Sequence, residues 1–175
     1  GLISDAFACF KFGLVQNPEM CFHLASCFKN ENALDVLKEL SSNLSGMLSV
    51  YSDVDEIAAP IRKLIIDIFA RHGNELGWNK KENENETDAL KRATVIRILI
   101  KAKSQDIINK ACELFKNRDN ENVKIEPDLR GLVYNTAMVH SNGNDVEIYD
   151  SLKKTYETAE LADEKRRATK RFAKC

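Results

Sequence analysis

Three histidines and five cysteines are the residues of this 175-residue chain best suited to metal or nucleophilic chemistry. Zinc hydrolysis places two His at i and i+4 on one helix face, with a nearby Glu as base and a metal that activates water. His23, His72 and His140 do not fit that pattern, because none has a second His within two helical turns. Cys9, Cys21, Cys27, Cys112 and Cys175 give an odd count and no C-x-x-C pair. The expected state is free thiols, most of them on apolar helix faces, and not a disulfide framework or a zinc knuckle. There is no Gly-rich phosphate loop and no nucleophile–base pair. The spacing therefore predicts no catalytic residue and no metal ligand, and it singles out no substrate-binding residue.

Other single features have structural readings. His23 lies beside an apolar stripe and reads as a partly buried polar residue. Trp78 follows Gly77 and reads as a plug at a helix–loop junction, and Asp5 as a cap of its own helix. Lys165, Arg166, Arg167, Lys170, Arg171 and Lys174 follow Glu160, Asp163 and Glu164. That order complements a helix dipole, with anions at its positive end and cations at its negative end, and needs no nucleic acid. Overall charge agrees: 26 Lys and Arg against 27 Asp and Glu leave a net of −1, without the basic excess of a nucleic-acid binder. Two Asn-x-Ser/Thr triplets occur, at Asn43 and Asn85; the second sits in a polar loop, open to glycosylation if the parent is secreted or lumenal, although such triplets are common by chance in an Asn-rich chain. Leu64 to Ala70 is interrupted by Asp67 and is far too short to span a membrane. No signal peptide opens the chain, and Gly1 is not a natural initiator.

The elements that must carry these residues are helices. Hydrophobic residues make up 43% and charged residues 30%, a globular balance, while seven Gly and three Pro are too few for the turns of a many-stranded sandwich. Met20, Cys21, Leu24, Cys27 and Phe28 recur at helical spacing. So do Ile57, Ile61, Leu64, Ile65, Ile68 and Phe69, then Val95, Ile98, Leu99 and Ala102, then Ile107, Ile108, Ala111, Cys112 and Phe115. Asn17-Pro18-Glu19 reads as a cap followed by Pro at the first helical position. Asp53 with Glu56, and Asn144 with Glu147, have capping-box spacing. Ser104 and Glu126-Pro127 precede further stripes. Gly13, Gly73 with Gly77, and Gly143 stand where helices should stop. Pro60 predicts a kink or a later start.

These signals predict about nine helices: 2–12, 18–29, 33–51, 54–72, 88–102, 105–117, 127–141, 145–158 and 160–173. The polar runs 79–86 and 117–122 read as loops with nothing to bury. The later helix starts recur every 16–22 residues or so, which suggests an all-α, irregular solenoid of stacked antiparallel hairpins, HEAT- or armadillo-like. The last helix, with only a thin stripe through Leu161, Ala168 and Phe172, is expected to leave Phe172 partly exposed and Cys175 accessible, while Cys112 is protected.

Leu2-Ile3-Ser4-Asp5-Ala6-Phe7-Ala8 followed by Gly13 resembles the opening of the C-terminal helical domain of gluzincin-type zinc aminopeptidases. That family includes puromycin-sensitive aminopeptidase, aminopeptidase N and the endoplasmic-reticulum aminopeptidases. Further matches follow in the family's order. They are Leu76-Gly77-Trp78 with Leu90-Lys91-Arg92, Ala111-Cys112-Glu113-Leu114-Phe115, Ile125-Glu126-Pro127-Asp128-Leu129-Arg130 with Val133-Tyr134, and Tyr156 with Glu164-Lys165 and Arg167. The family's Trp after the second helix hairpin is missing, where the chain reads Asn32-Ala33-Leu34-Asp35-Val36-Leu37. The resemblance covers essentially all of residues 1–175 and implies one helical segment, the first part of the family's C-terminal domain. It implies a non-catalytic role beside a zinc-bearing catalytic domain, bounding the substrate cavity and controlling peptide access. The family's H-E-x-x-H and G-x-M-E-N motifs are absent, so the chain alone should be inactive, with its zinc, its catalytic domain and its peptide substrate all belonging to a longer parent. The hairpin spacing alone leaves another reading open, a free-standing helical-repeat scaffold that binds proteins.

Overall fold

A computed structural model describes residues 1–14, 17–120 and 123–140, together with 150 and 153. The described residues hold seven α-helices and no strand. They are α1 (Leu2–Lys11), α2 (Pro18–Cys27), α3 (Leu34–Val50), α4 (Asp55–Leu76), α5 (Glu86–Lys101), α6 (Gln105–Lys116) and α7 (Pro127–Val139). The helices expected over 145–158 and 160–173, with Gly143, the Asn144–Glu147 cap, Phe172 and Cys175, lie outside the described residues.

Local chemistry explains several boundaries. Asn17 Oδ1 accepts from the Glu19 N–H at 2.9 Å, and Pro18 fills a first-turn position whose N–H would have no intrahelical partner. Pro127 does the same for α7 after Glu126. The Asp53–Glu56 capping box does not form. Asp53 instead accepts from the Ser52 hydroxyl at 3.2 Å, and α4 begins two residues later, after Val54. Helix α4 then runs unbroken through Pro60, so the later start that Pro60 suggested is not observed. Its other end corrects the reading of the glycines. Gly77 ends the helix with φ of 64°, but Gly73 lies inside it, buried. A Cβ at Gly73 would stand 2.9 Å from Leu99 Cδ1, so the glycine there serves close approach to α5 and not a turn.

The chain divides into two units, residues 1–107 and 108–175. In the first, α3, α4 and α5 pack on one another, α1 packs on α2 and α3, and α2 packs on α4. Leu37, Leu40 and Leu44 of α3, Ile61, Ile65, Ile68 and Phe69 of α4, and Val95, Ile98 and Leu99 of α5 form the centre of one core. The stripes were slightly too wide in sequence: Ile57 is 43% exposed, and Met20 and Cys27 lie off the buried face of α2. That face runs through Cys21 and Ala25, which leaves His23 on the outside, exposed, contrary to its reading as partly buried. In the second unit Ile108, Ala111, Phe115, Ile125, Leu129, Val133 and Ala137 are buried. The Phe115 and Tyr134 rings meet edge to face at 5.0 Å, and the Arg118 guanidinium lies 4.2 Å above Phe115.

The run 79–86 also departs from its reading as a stretch with nothing to bury. Asn85 and Asp88 close a capping box on α5, each side chain bonding the other's backbone N–H, so the helix starts at Glu86. Glu84 is drawn inward as the partner of Arg92, with side chains only 7% and 3% exposed.

Candidate functional site

Helices α1 and α3 border an open groove of about 450 Å³ in the first unit. Phe7, Phe10 and Lys11 line it from α1 at i, i+3 and i+4. Met47, Val50 and Tyr51 line it at the same spacing at the end of α3, with Ser42, Asn43 and Gly46 completing it. The walls are mostly apolar, with one cation at the rim. Gly46 leaves part of the wall open, since a Cβ there would meet nothing within 4 Å.

A polar bridge lies beside the groove. The Ser4 hydroxyl donates to Glu39 Oε1, and Asn43 Nδ2 donates to Glu39 Oε1 at 3.0 Å and to the Glu39 carbonyl at 2.9 Å. The Ser4 hydroxyl, and secondarily Asn43, hold the Glu39 carboxyl below the usual carboxylate range. Further along α3, Lys101 of α5 donates to Ser45 Oγ and Ser49 Oγ, each at 2.6 Å, which ties α5 to α3. This arrangement can hold an apolar side chain beside a positive charge.

The residues weighed for chemistry do not converge. His23 and His140 are exposed on α2 and at the end of α7, whereas His72 is buried in α4. Among the described residues no group of three or more His, Cys, Asp or Glu side chains could hold a metal ion. Asp5 is 80% exposed, 4.0 Å from the Gly1 ammonium, and makes no side-chain cap. Trp78 is half-buried just past the α4 stop. Cys21 is buried and Cys9 and Cys112 are half-buried, but Cys27 is exposed. Burial raises the Cys112 thiol pKa, so it should react slowly. The groove residues were missed in sequence because Phe7, Phe10, Met47 and Tyr51 look like ordinary core positions. The matching i, i+3, i+4 triplets are the signal that could have found them.

His72 gives a pH prediction. Burial lowers its pKa first, followed by Arg71, with Lys91 adding to the effect and Glu75 and the Lys29 backbone opposing it. Its Nε2 is buried without a partner. The folded state therefore favours the neutral ring, while the unfolded chain takes up a proton near pH 6.5. The contribution to stability is complete above that pH and is lost as pH falls through it toward the lower folded-state value. Urea midpoints at pH 7.5 and 5.5 should differ, and His72→Leu should reduce the difference; an unchanged difference in the variant would assign it to other groups.

A family model described as ERAP1-like C-terminal domain matches residues 1–175. Aminopeptidase M1-A of Oryza sativa subsp. japonica is 29% identical over 178 aligned positions, covering 100% of this chain and 20% of that protein. Glutamyl aminopeptidase of Sus scrofa is 30% identical, covering 94% of this chain and 17% of its own length. Aminopeptidase N of Lactococcus lactis subsp. cremoris is 24% identical, covering 94% and 19%. The chain thus spans about a fifth of the length of these relatives.

Proposed function

Because this chain belongs to the ERAP1-like C-terminal domain family, we propose that it is the non-catalytic helical part of a longer zinc-dependent aminopeptidase, an enzyme that removes N-terminal residues from peptides. The observation that carries this reading is the match over all of residues 1–175, together with relatives named as aminopeptidases. We assign the chain to the first part of that C-terminal domain, as one helical segment built as an irregular solenoid of stacked hairpins. Its partners are the catalytic domain of its own polypeptide, which supplies the zinc, and the peptide substrate. Its work is to bound the substrate cavity and limit peptide access. The α1–α3 groove is the surface we assign to the part of the peptide remote from the scissile bond. Apolar walls with Lys11 at the rim suit such a segment through shape and charge, without bond-making groups.

The test uses the intact aminopeptidase. Gly46→Leu narrows the groove at a position with free space and improves helix propensity, so the fold should survive it. It should raise KM for long peptides several-fold while leaving turnover of a minimal aminoacyl amide within about two-fold. Removing the whole segment should likewise affect long peptides more. Equal effects of Gly46→Leu on both substrates would remove the groove from the substrate path, and equal effects of the deletion would reduce the segment to a folding support.

A further inference from the structure

The two Asn-x-Ser/Thr triplets sit in opposite settings: Asn43 lines the α1–α3 groove, and Asn85 lies apart from it at the start of α5. We propose that Asn85 is an acceptor site for an N-linked oligosaccharide and that Asn43 is not. A glycan is compatible with the folded chain only where the carboxamide nitrogen has no structural bond to give up. Nδ2 bonds to the anomeric carbon of the first sugar of a lipid-diphosphate-linked oligosaccharide. The bond from that carbon to the diphosphate oxygen breaks, the lipid diphosphate leaves, and Nδ2 loses one proton.

Asn85 is exposed, and all its described bonds use other atoms. Its Oδ1 accepts from the Asp88 N–H at 3.0 Å and from the Thr87 hydroxyl at 2.6 Å, and its backbone N–H donates to Asp88 Oδ2. Nδ2 has no hydrogen-bond partner among the described residues. A glycan on Nδ2 therefore keeps the oxygen that caps α5, and the folded helix and the modified side chain are compatible. Glu86 at the middle position is exposed and is not Pro, and Thr87 supplies the hydroxyl of the triplet.

Asn43 completes the same triplet with Leu44 and Ser45 but stands in a different setting. It lies within α3, half-buried, and its Nδ2 already donates twice to Glu39. Leu44 is fully buried, and the Ser45 hydroxyl is engaged by Lys101 at 2.6 Å. A sugar on Asn43 would have to displace the bridge that ties α3 to Ser4 of α1 and would fill the groove mouth.

The full 175-residue chain, directed into the secretory pathway of a eukaryotic cell behind a cleavable leader, provides the test. We expect one glycan per chain, seen as a single mobility step removed by peptide-N-glycosidase, with Asn85 converted to Asp. Asn85→Asp keeps a capping oxygen and should abolish the step; Thr87→Ala leaves Asn85 itself in place and should abolish it too, while Asn43→Gln should leave it intact. An unmodified wild-type chain, a second step, or a step that survives Asn85→Asp would each overturn the proposal. Equal helical content by circular dichroism in all four proteins shows that the comparison is between folded chains.

Discussion

Replacing Phe69 by Ala should destabilise the first unit by about 3–5 kcal/mol, lowering the melting temperature by about 10–15 °C. Phe69 is fully buried in α4, in the core formed with α3 and α5. Its ring also lies 6.5 Å from that of His72. Truncation removes the transfer free energy of the ring and leaves a cavity that three packed helices can only partly close. Against a net stability of about 5–15 kcal/mol, that loss is a large fraction. Leu90→Ala on the exposed side of α5, where the residue is 51% exposed, is the matched control and should cost less than about 0.5 kcal/mol. Chemical denaturation of both variants decides the matter, and a Phe69→Ala loss no larger than that of the control would mean that the core has been drawn in the wrong place.

The second large effect is expected at Glu84. Arg92 of α5 donates from Nε to the Leu76 carbonyl at 3.3 Å and from its terminal nitrogen to Glu84. One guanidinium thus joins the end of α4, the following loop and α5. Glu84→Ala would leave a buried cation with a single partner, at an expected cost of about 2–3 kcal/mol. The double variant Glu84→Ala, Arg92→Leu should cost less than the sum of the two single changes, because it no longer strands a charge. Strict additivity in the cycle would show that the two side chains do not interact. The Arg92 hydrogen bond also holds the Glu84 carboxyl below its ordinary value. Its contribution should therefore be complete above the ordinary glutamate range near pH 4.3 and be lost as pH falls below it, a window separate from that of His72.

The apolar stripes specified most of the helices by themselves. A residue every three or four positions leaves a helix one face to bury, and α2, α4, α5 and α6 could each be placed within a few residues on that ground. Local capping chemistry was equally readable where one side chain acts on its own neighbours, as at Asn17-Pro18-Glu19. The order of short motifs also carried the family, since it depends on sequence alone.

Distances between helices decided the remainder. Gly73 looked like a stop signal because glycine often ends helices, but its role depends on Leu99, which is 26 residues away and adjacent only after α4 and α5 have packed. Glu84 looked like one more charge in a solvated loop until Arg92 gave it a reason to be buried. The polar run around Asn85 already set it apart from Asn43, but only the fold shows Asn85 capping α5 through its oxygen and Asn43 bonded into the bridge between α1 and α3. The groove itself belongs to neither α1 nor α3: each contributes an i, i+3, i+4 triplet that becomes a surface only when the helices lie side by side. Propensity and periodicity act within about one turn of chain, whereas burial and the pairing of charges are settled by residues that only the tertiary fold brings together.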